Sequence, residues 1–304
     1  MQPSERTIGI DIGGTKIAVG LVDARGRIEQ RVTFPTQPER GFNDAVERIS
    51  NAIEQTLAQA DLEKSLLVGI GIGCTGPVNP VRGTIHNPYT LPGWDDCDII
   101  TPLAQRFQVP VRMENDADAA AVGECFAGAG QDCDPVIMLT FGTGIGGSAI
   151  VRGKIYRGVR GEHPEFGHIP ALPDGPSCYC GINGCFESLV SGTAIGEAGK
   201  SAGFENSCAV FTAATQGHAG ARKILDRARQ ATATATWTIL HTFMPERIIL
   251  GGGIMDEHFE LFAPGVREQT AKAKLTPAAH ITVVKAALGN DAGIIGAARL
   301  TEMN

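Results

Sequence analysis

The stretch Thr7-Ile-Gly-Ile-Asp11-Ile-Gly13-Gly14-Thr15-Lys16 decides the fold. Thr7 to Asp11 reads as a short buried strand, Gly13-Gly14-Thr15 as a tight turn and Ile17 to Val22 as a returning strand, which together make a glycine-tipped hairpin. A second hairpin of the same design follows at Val136 to Leu139, Thr140-Phe141-Gly142-Thr143-Gly144-Ile145-Gly146-Gly147 and Ser148 to Val151. Between them Ala45, Val46, Ile49, Ile53 and Leu57 recur at helical spacing, and Leu66 to Gly73 is another apolar strand, closed by Thr75-Gly76-Pro77. Strand, hairpin, helix and strand alternate, so the class is α/β. Two such hairpins, each opening a new α/β segment, predict a duplicated architecture with a cleft between its halves. The expected division is a small domain over residues 1–113, a large one over 114–292, and a C-terminal helix within 293–304 that packs back on the first.

A chain of 304 residues with 43% hydrophobic composition is long enough to bury a large core. Its net charge of -7 argues against a general nucleic-acid or membrane-surface binder, either of which needs a basic face. The polar start Met-Gln-Pro-Ser-Glu-Arg lacks an apolar signal core, and no later stretch approaches the length of a membrane span, so a cytoplasmic protein is expected. Eight cysteines in such a chain suit free thiols and metal ligands better than a disulfide framework. Cys74, Cys97, Cys125, Cys133 and Cys208 are scattered, as ordinary small core residues are, whereas Cys178, Cys180 and Cys185 fall within eight residues.

Three glycine-rich turns suit a nucleotide. In Asp11-Ile-Gly13-Gly14-Thr15-Lys16, backbone N–H groups and the Thr15 hydroxyl can approach phosphate oxygens, and Asp11 can hold Mg2+ through water. A plain hairpin with glycine at positive φ is the competing explanation for this loop. It is neither a Walker pattern nor a dinucleotide fingerprint, because a strand rather than a helix follows. Gly142, Thr143, Gly144, Gly146 and Gly147 expose further donors, and paired with the first loop they make a two-sided phosphate clamp. Gly251-Gly252-Gly253, after the strand Arg247 to Leu250, suits a flat group such as adenine, although such a triplet also simply turns a chain.

Glu114-Asn115-Asp116 follows the strand Val109 to Met113 and precedes the helical run Ala117 to Phe126. The helix dipole there favours an ionised Asp116, and an ionised carboxylate can accept the proton of a hydroxyl that attacks phosphorus. N-capping is the more frequent role for such residues, and the expectation is capping by one of Asn115 and Asp116 and catalysis by the other. Cys178-x-Cys180-x4-Cys185, preceded at ten residues by His168, completes a tetrahedral Cys3His zinc shell, with Gly181 and Gly184 supplying the turn. With no open position, such a site is structural. The alternative is three buried thiols and a surface histidine.

Taken together, these residues resemble the ROK family of sugar kinases and repressors over nearly the whole chain. The first loop matches the family's Asp-x-Gly-Gly-Thr-Lys start, Glu114-Asn115-Asp116-Ala117 its catalytic segment, and Gly142-Thr143-Gly144-x-Gly146-Gly147 its second phosphate loop. Glu165-Phe166-Gly167-His168 with Cys178 to Glu187 matches its sugar and zinc signature. The resemblance implies an actin-like (ribonuclease H-like) fold of two α/β domains around a cleft. It implies Asp116 as the base for a sugar 6-hydroxyl, with Gly76, Asn87, Asn115, Glu165, His168 and Glu187 on the sugar side. Asp11, Gly13 to Lys16 and Thr143 to Gly147 take the phosphates, and Gly251 to Gly253 lie by adenosine. His168 is expected to bind zinc through one ring nitrogen and face the sugar with the other.

The expected activity is ATP-dependent phosphorylation of a hexose, glucose first, with fructokinase and N-acetylglucosamine or N-acetylmannosamine kinase as alternatives. His163-Pro164 before Glu165 looks like fructose-phosphorylating relatives, while the Cys-rich segment departs from them. Repressor members carry a helix-turn-helix ahead of the first loop, for which Asp11 leaves ten residues. A homodimer or homotetramer is implied by relatives.

Overall fold

The computed structural model describes residues 2, 4–159, 161–275 and 281–303. Ile8, Ile10 and Ile12 are fully buried and alternate with Thr7, Gly9 and Asp11, and this period of two builds β1 (Arg6–Ile12). It pairs antiparallel with β2 (Lys16–Val22), which pairs in turn with β3 (Ile28–Pro35). β3 lies outside the sequence reading because its alternating exposed and half-buried positions, with Glu29, Gln30 and Arg31 in the run, give little apolar signal. α1 (Phe42–Gln59) buries Ala45, Ile49, Ile53 and Leu57 at the expected spacing. β4 (Leu67–Cys74) then joins β1 in parallel; a hairpin of two-residue strands, β5 (Val78–Asn79) and β6 (Thr84–Ile85), and α2 (Ile100–Phe107) lead to β7 (Val111–Asn115), parallel to β4. α3 (Asp116–Ala127) follows directly. The sheet order is β3-β2-β1-β4-β7.

The chain divides into two compact units: Met1–Asp132 with Lys154–His163 and Ala287–Asn304, and Cys133–Gly153 with Pro164–Ala286. The first compact unit thus runs on past residue 113 and takes in α3. The reason is close helix packing. A Cβ added to Gly296 of the C-terminal helix (Ala292–Leu300) would lie 1.6 Å from the Ala119 carbonyl oxygen of α3. On the sheet, a Cβ on Gly71 would lie 1.7 Å from the Ala297 carbonyl oxygen, so glycines let this helix rest on β1 and β4.

In the second unit β8 (Val136–Phe141) and β9 (Ile145–Val151) form an antiparallel hairpin. α4 (Phe186–Val190), α5 (Gly192–Lys200), α6 (Ser207–Thr215) and α7 (Ala219–Phe243) follow, then strand Arg247–Gly251 beside β8, α8 (Gly253–Lys272) and strand Thr282–Lys285. Both later strands add in parallel, the same plan as β4 and β7 in the first unit. Phe141, Phe186 and Phe262 anchor the core, Phe141 edge-on to Phe186 at 5.7 Å. Of the five scattered cysteines only Cys74 is buried; Cys97, Cys125 and Cys133 are half-buried and Cys208 is exposed. No helix among the described residues is long and apolar enough to cross a membrane.

Candidate active site

In the first unit the β1–β2 turn is braced from the side. Gly13 N–H donates to the Lys16 carbonyl at 3.0 Å, the Thr36 hydroxyl to the Gly13 carbonyl at 2.6 Å, and Thr36 N–H to the Thr15 carbonyl at 3.0 Å. Neither Gly13 nor Gly14 has a positive φ, so plain turn conformation does not explain them. Space does at Gly14, where a Cβ would meet the Thr90 methyl at 2.1 Å. Thr90 N–H in turn donates to Asn87 Oδ1 at 2.9 Å, and the buried Asn87 amide reaches the Thr75 carbonyl at 3.4 Å. A Cβ on Gly76 would touch Asn115 Nδ2 at 2.5 Å. Gly14, Gly76, Asn87 and Asn115 are thus one connected set of loops.

Asn115 ends β7 and caps α3: its Oδ1 accepts from Ala117 N–H at 2.9 Å. Asp116 Oδ1 lies at the same distance from that N–H. The helix dipole favours an ionised Asp116, but burial outweighs it. Its carboxyl is pushed above the usual range, with Asp118 adding to the rise and the Ala117 N–H and His163 opposing it. Burial and the Asp116 charge likewise raise Asp11 to about 6, against the pull of Lys16 and Arg31. Asp11 sits at the start of the C-terminal helix, its carboxyl carbon 3.0 Å from where a Gly293 Cβ would be.

In the second unit only Gly142, Thr143 and Gly144 form the hairpin turn. Gly146 and Gly147 belong to β9, paired with Thr140 and Leu139. Gly147 is buried, and the Phe166 ring fills the space of its missing Cβ at 2.8 Å. The Glu187 carboxylate accepts from Ile145 N–H at 2.8 Å, beside Gly144. Ser191 caps α5, whose Gly192 N–H donates to the Gly142 carbonyl at 2.8 Å and whose Thr193 hydroxyl donates to the Thr143 carbonyl at 2.9 Å. These bonds wall a cavity of about 540 Å³ that Thr143 shares with Gly253, Thr193, Lys200 and Asn206. Gly252, at φ 88°, lets the strand turn into α8 against the Phe141 backbone, and exposed Gly253 has open space where a Cβ would stand. Thr193, Lys200 and Asn206 carry no motif that marks them in the sequence.

The Sγ atoms of Cys178, Cys180 and Cys185 and a ring nitrogen of His168 all lie within 4.8 Å of one another. Cys178 Sγ is 3.6 Å from His168 Nδ1, and Cys180 Sγ is 3.1 Å from Cys185 Sγ. Donors about 2.0–2.3 Å from one centre have separations of this order, so the set fits tetrahedral zinc. Nδ1 faces the thiols, which leaves Nε2 on the far edge of the ring. Tyr179, between the first two cysteines, stands edge-on to His168 at 5.0 Å. Its place between two ligand cysteines is the signal that the sequence carries for it, and the structure leaves it exposed. Glu165 is exposed and joins this group through its carbonyl, which accepts from His168 N–H at 3.0 Å.

Known proteins match along the full length. A glucokinase of Thermotoga maritima is 36% identical over 98% of each chain, and an N-acetylmannosamine kinase of Escherichia coli is 32% identical over 97% of this chain and 98% of that one. Among solved structures, a ROK hexokinase from Thermus thermophilus superposes with a TM-score of 0.86 at 32% identity, covering 97% of both chains. A ROK family glucokinase from Streptomyces griseus, in complex with glucose and AMPPNP, gives 0.77 at 33% identity over 98% of this chain and 100% of that one. These likenesses carry the actin-like fold of ROK sugar kinases. Residues 7–304 match the ROK family, and with relatives of this identity at both ends of the chain the protein belongs to that family.

Proposed function

We propose that the protein transfers the γ-phosphoryl group of ATP to the 6-hydroxyl of a hexose, with glucose the first substrate. The observation that carries this reading is the full-length likeness to glucokinases at 32–36% identity, which spans Asp116 and both glycine turns. The sugar oxygen attacks the γ-phosphorus, a new O–P bond forms, the bond to the β-phosphate oxygen breaks and ADP leaves. Asp116 takes the hydroxyl proton, as a buried carboxylate with a raised pKa suits a base near neutral pH. Asn115, Glu165, His168 and Glu187 hold the remaining hydroxyls, with Gly76 and Asn87 shaping the loops beside them. Asp11, the Gly13 to Lys16 turn and Thr143 to Gly147 take the phosphates, while the cavity at Gly253 suits the adenosine. Mg2+ bound with ATP supplies neutralising charge at the phosphates.

The Cys178, Cys180, Cys185 and His168 set holds zinc as a structural ion, since three thiolates and one imidazole leave no open position. A reducing cytoplasm keeps such thiols unpaired by disulfides. The N-acetylmannosamine kinase relatives support an amino sugar as the second reading. A coupled assay for ADP release with Mg-ATP and a panel of glucose, fructose and N-acetylated hexosamines tests the proposal. Turnover with highest kcat/KM on glucose is expected; none with any sugar overturns it. Light scattering distinguishes a dimer from a tetramer.

A further inference from the structure

Glu114, Asp116 and Asp118 alternate across the junction of β7 and α3. Asp118 is fully buried and Glu114 half-buried. Asp118 repels the negative charge of Asp116 and also that of Glu114. One cation answers both Asp118 and Glu114. The Arg157 guanidinium bonds Glu114 and lies 3.4 Å from Asp118. It also donates to the Gly161 carbonyl at 3.0 Å. That last bond closes a turn in which Gly158 N–H donates to the Glu162 carbonyl at 2.7 Å and Gly161 N–H to the Gly158 carbonyl at 3.0 Å. The turn ends at His163, whose imidazole is near enough to Asp116 to favour its carboxylate.

The groups facing Asp116 are Asp118 on its own helix, His163 after the turn, Asp11 at the end of β1 and the Cys74 thiol at the end of β4. Those facing Glu114 are Arg157 and Asp118. Arg157 is therefore the one described cation that meets both flanking carboxylates.

We propose that Arg157 is a positioning residue for phosphoryl transfer: forked between Glu114 and Asp118 and bonded to Gly161, it balances these two carboxylates, of which Asp118 acts on Asp116, and holds the turn that carries His163. A lysine lacks the planar fork needed to do this. The proposal rests on Asp116 being the base.

Arg157→Gln is the test, with kcat, KM and calorimetric sugar binding measured beside the wild type. A fall in kcat of about a hundredfold with sugar affinity nearly unchanged is expected, since small misplacements of a catalytic group cost that much. The double variant Glu114→Gln/Arg157→Gln, which removes the carboxylate left unbalanced, should recover about tenfold of the lost kcat, an effect a purely structural arginine would not give. Wild-type kcat in Arg157→Gln, or a double variant no faster than the single one, overturns the proposal. If Arg157→Gln does not fold, Arg157→Lys takes its place: reduced kcat at unchanged sugar affinity is expected, and full kcat overturns it. Activity retained in Asp116→Asn would instead refute the assignment of the base.

Discussion

The cysteine–histidine tetrad and the acidic cluster around Asp116 are built in opposite ways. The tetrad draws its four ligands from residues 168–185, with one tight turn to bring them together. The acidic cluster draws Asp11 from β1, Cys74 from β4, Glu114 from β7, Asp116 and Asp118 from α3, and Arg157 and His163 from a distant turn. A local site depends on few contacts besides its own, whereas a dispersed one depends on the packing of every element that feeds it.

The largest expected effect lies in the dispersed cluster. Asp116→Asn keeps the shape and removes the base, so kcat should fall about a thousandfold while calorimetry still detects sugar binding. Retained turnover would break the assignment. Next comes the tetrad. Cys180→Ser should lower the zinc found by elemental analysis from about one ion per chain and weaken sugar binding by about tenfold, through His168, before ATP affinity changes. Equal loss of both affinities would show that the tetrad is not local in its effect.

Gly71→Ala tests how far the acidic cluster depends on remote packing. The added Cβ meets the Ala297 carbonyl, so a stability loss of about 1–3 kcal/mol in denaturant titration is expected, with kcat lowered as Asp11 shifts. Cys180→Ser should have no such effect on kcat at saturating sugar. The smallest effect concerns pH. Burial raises Glu114 to about 7, with Arg157 pulling the other way, while an unfolded glutamate titrates near ~4.3. Between those values the folded chain keeps a proton that the unfolded chain has released, so this group lowers stability as pH rises through that window. Glu114→Gln should therefore narrow the difference in thermal midpoint between pH 5 and pH 8; an unchanged difference would remove Glu114 from the cluster's charge balance.

Much of the candidate site was readable because glycine spacing and clustered cysteines are local signals. The first hairpin and the Cys178 to Cys185 turn lie where the residues place them, and the structure selects Asn115, of the pair Asn115 and Asp116, as the cap of α3. The second loop shows where such reading stops. Gly146 and Gly147 look like loop residues, yet they pair with Thr140 and Leu139, and Gly147 is glycine because Phe166 occupies its side-chain space. Arg157 and Asp118 carry no motif, since an ion pair 39 residues apart in sequence leaves no periodicity to read. Tyr179 occupies the variable position of Cys-x-Cys, where the spacing of the ligands places no demand on residue type.

The sequence by itself determined the α/β class, the two hairpins and the tetrad, because each follows from hydrogen-bonding and steric rules acting over a few neighbouring residues. Only the tertiary structure decided that α3 belongs with the C-terminal helix in the first unit, and that burial rather than the helix dipole governs Asp116. Both depend on which distant groups share one small volume, and desolvation is set by that volume rather than by the order of the chain.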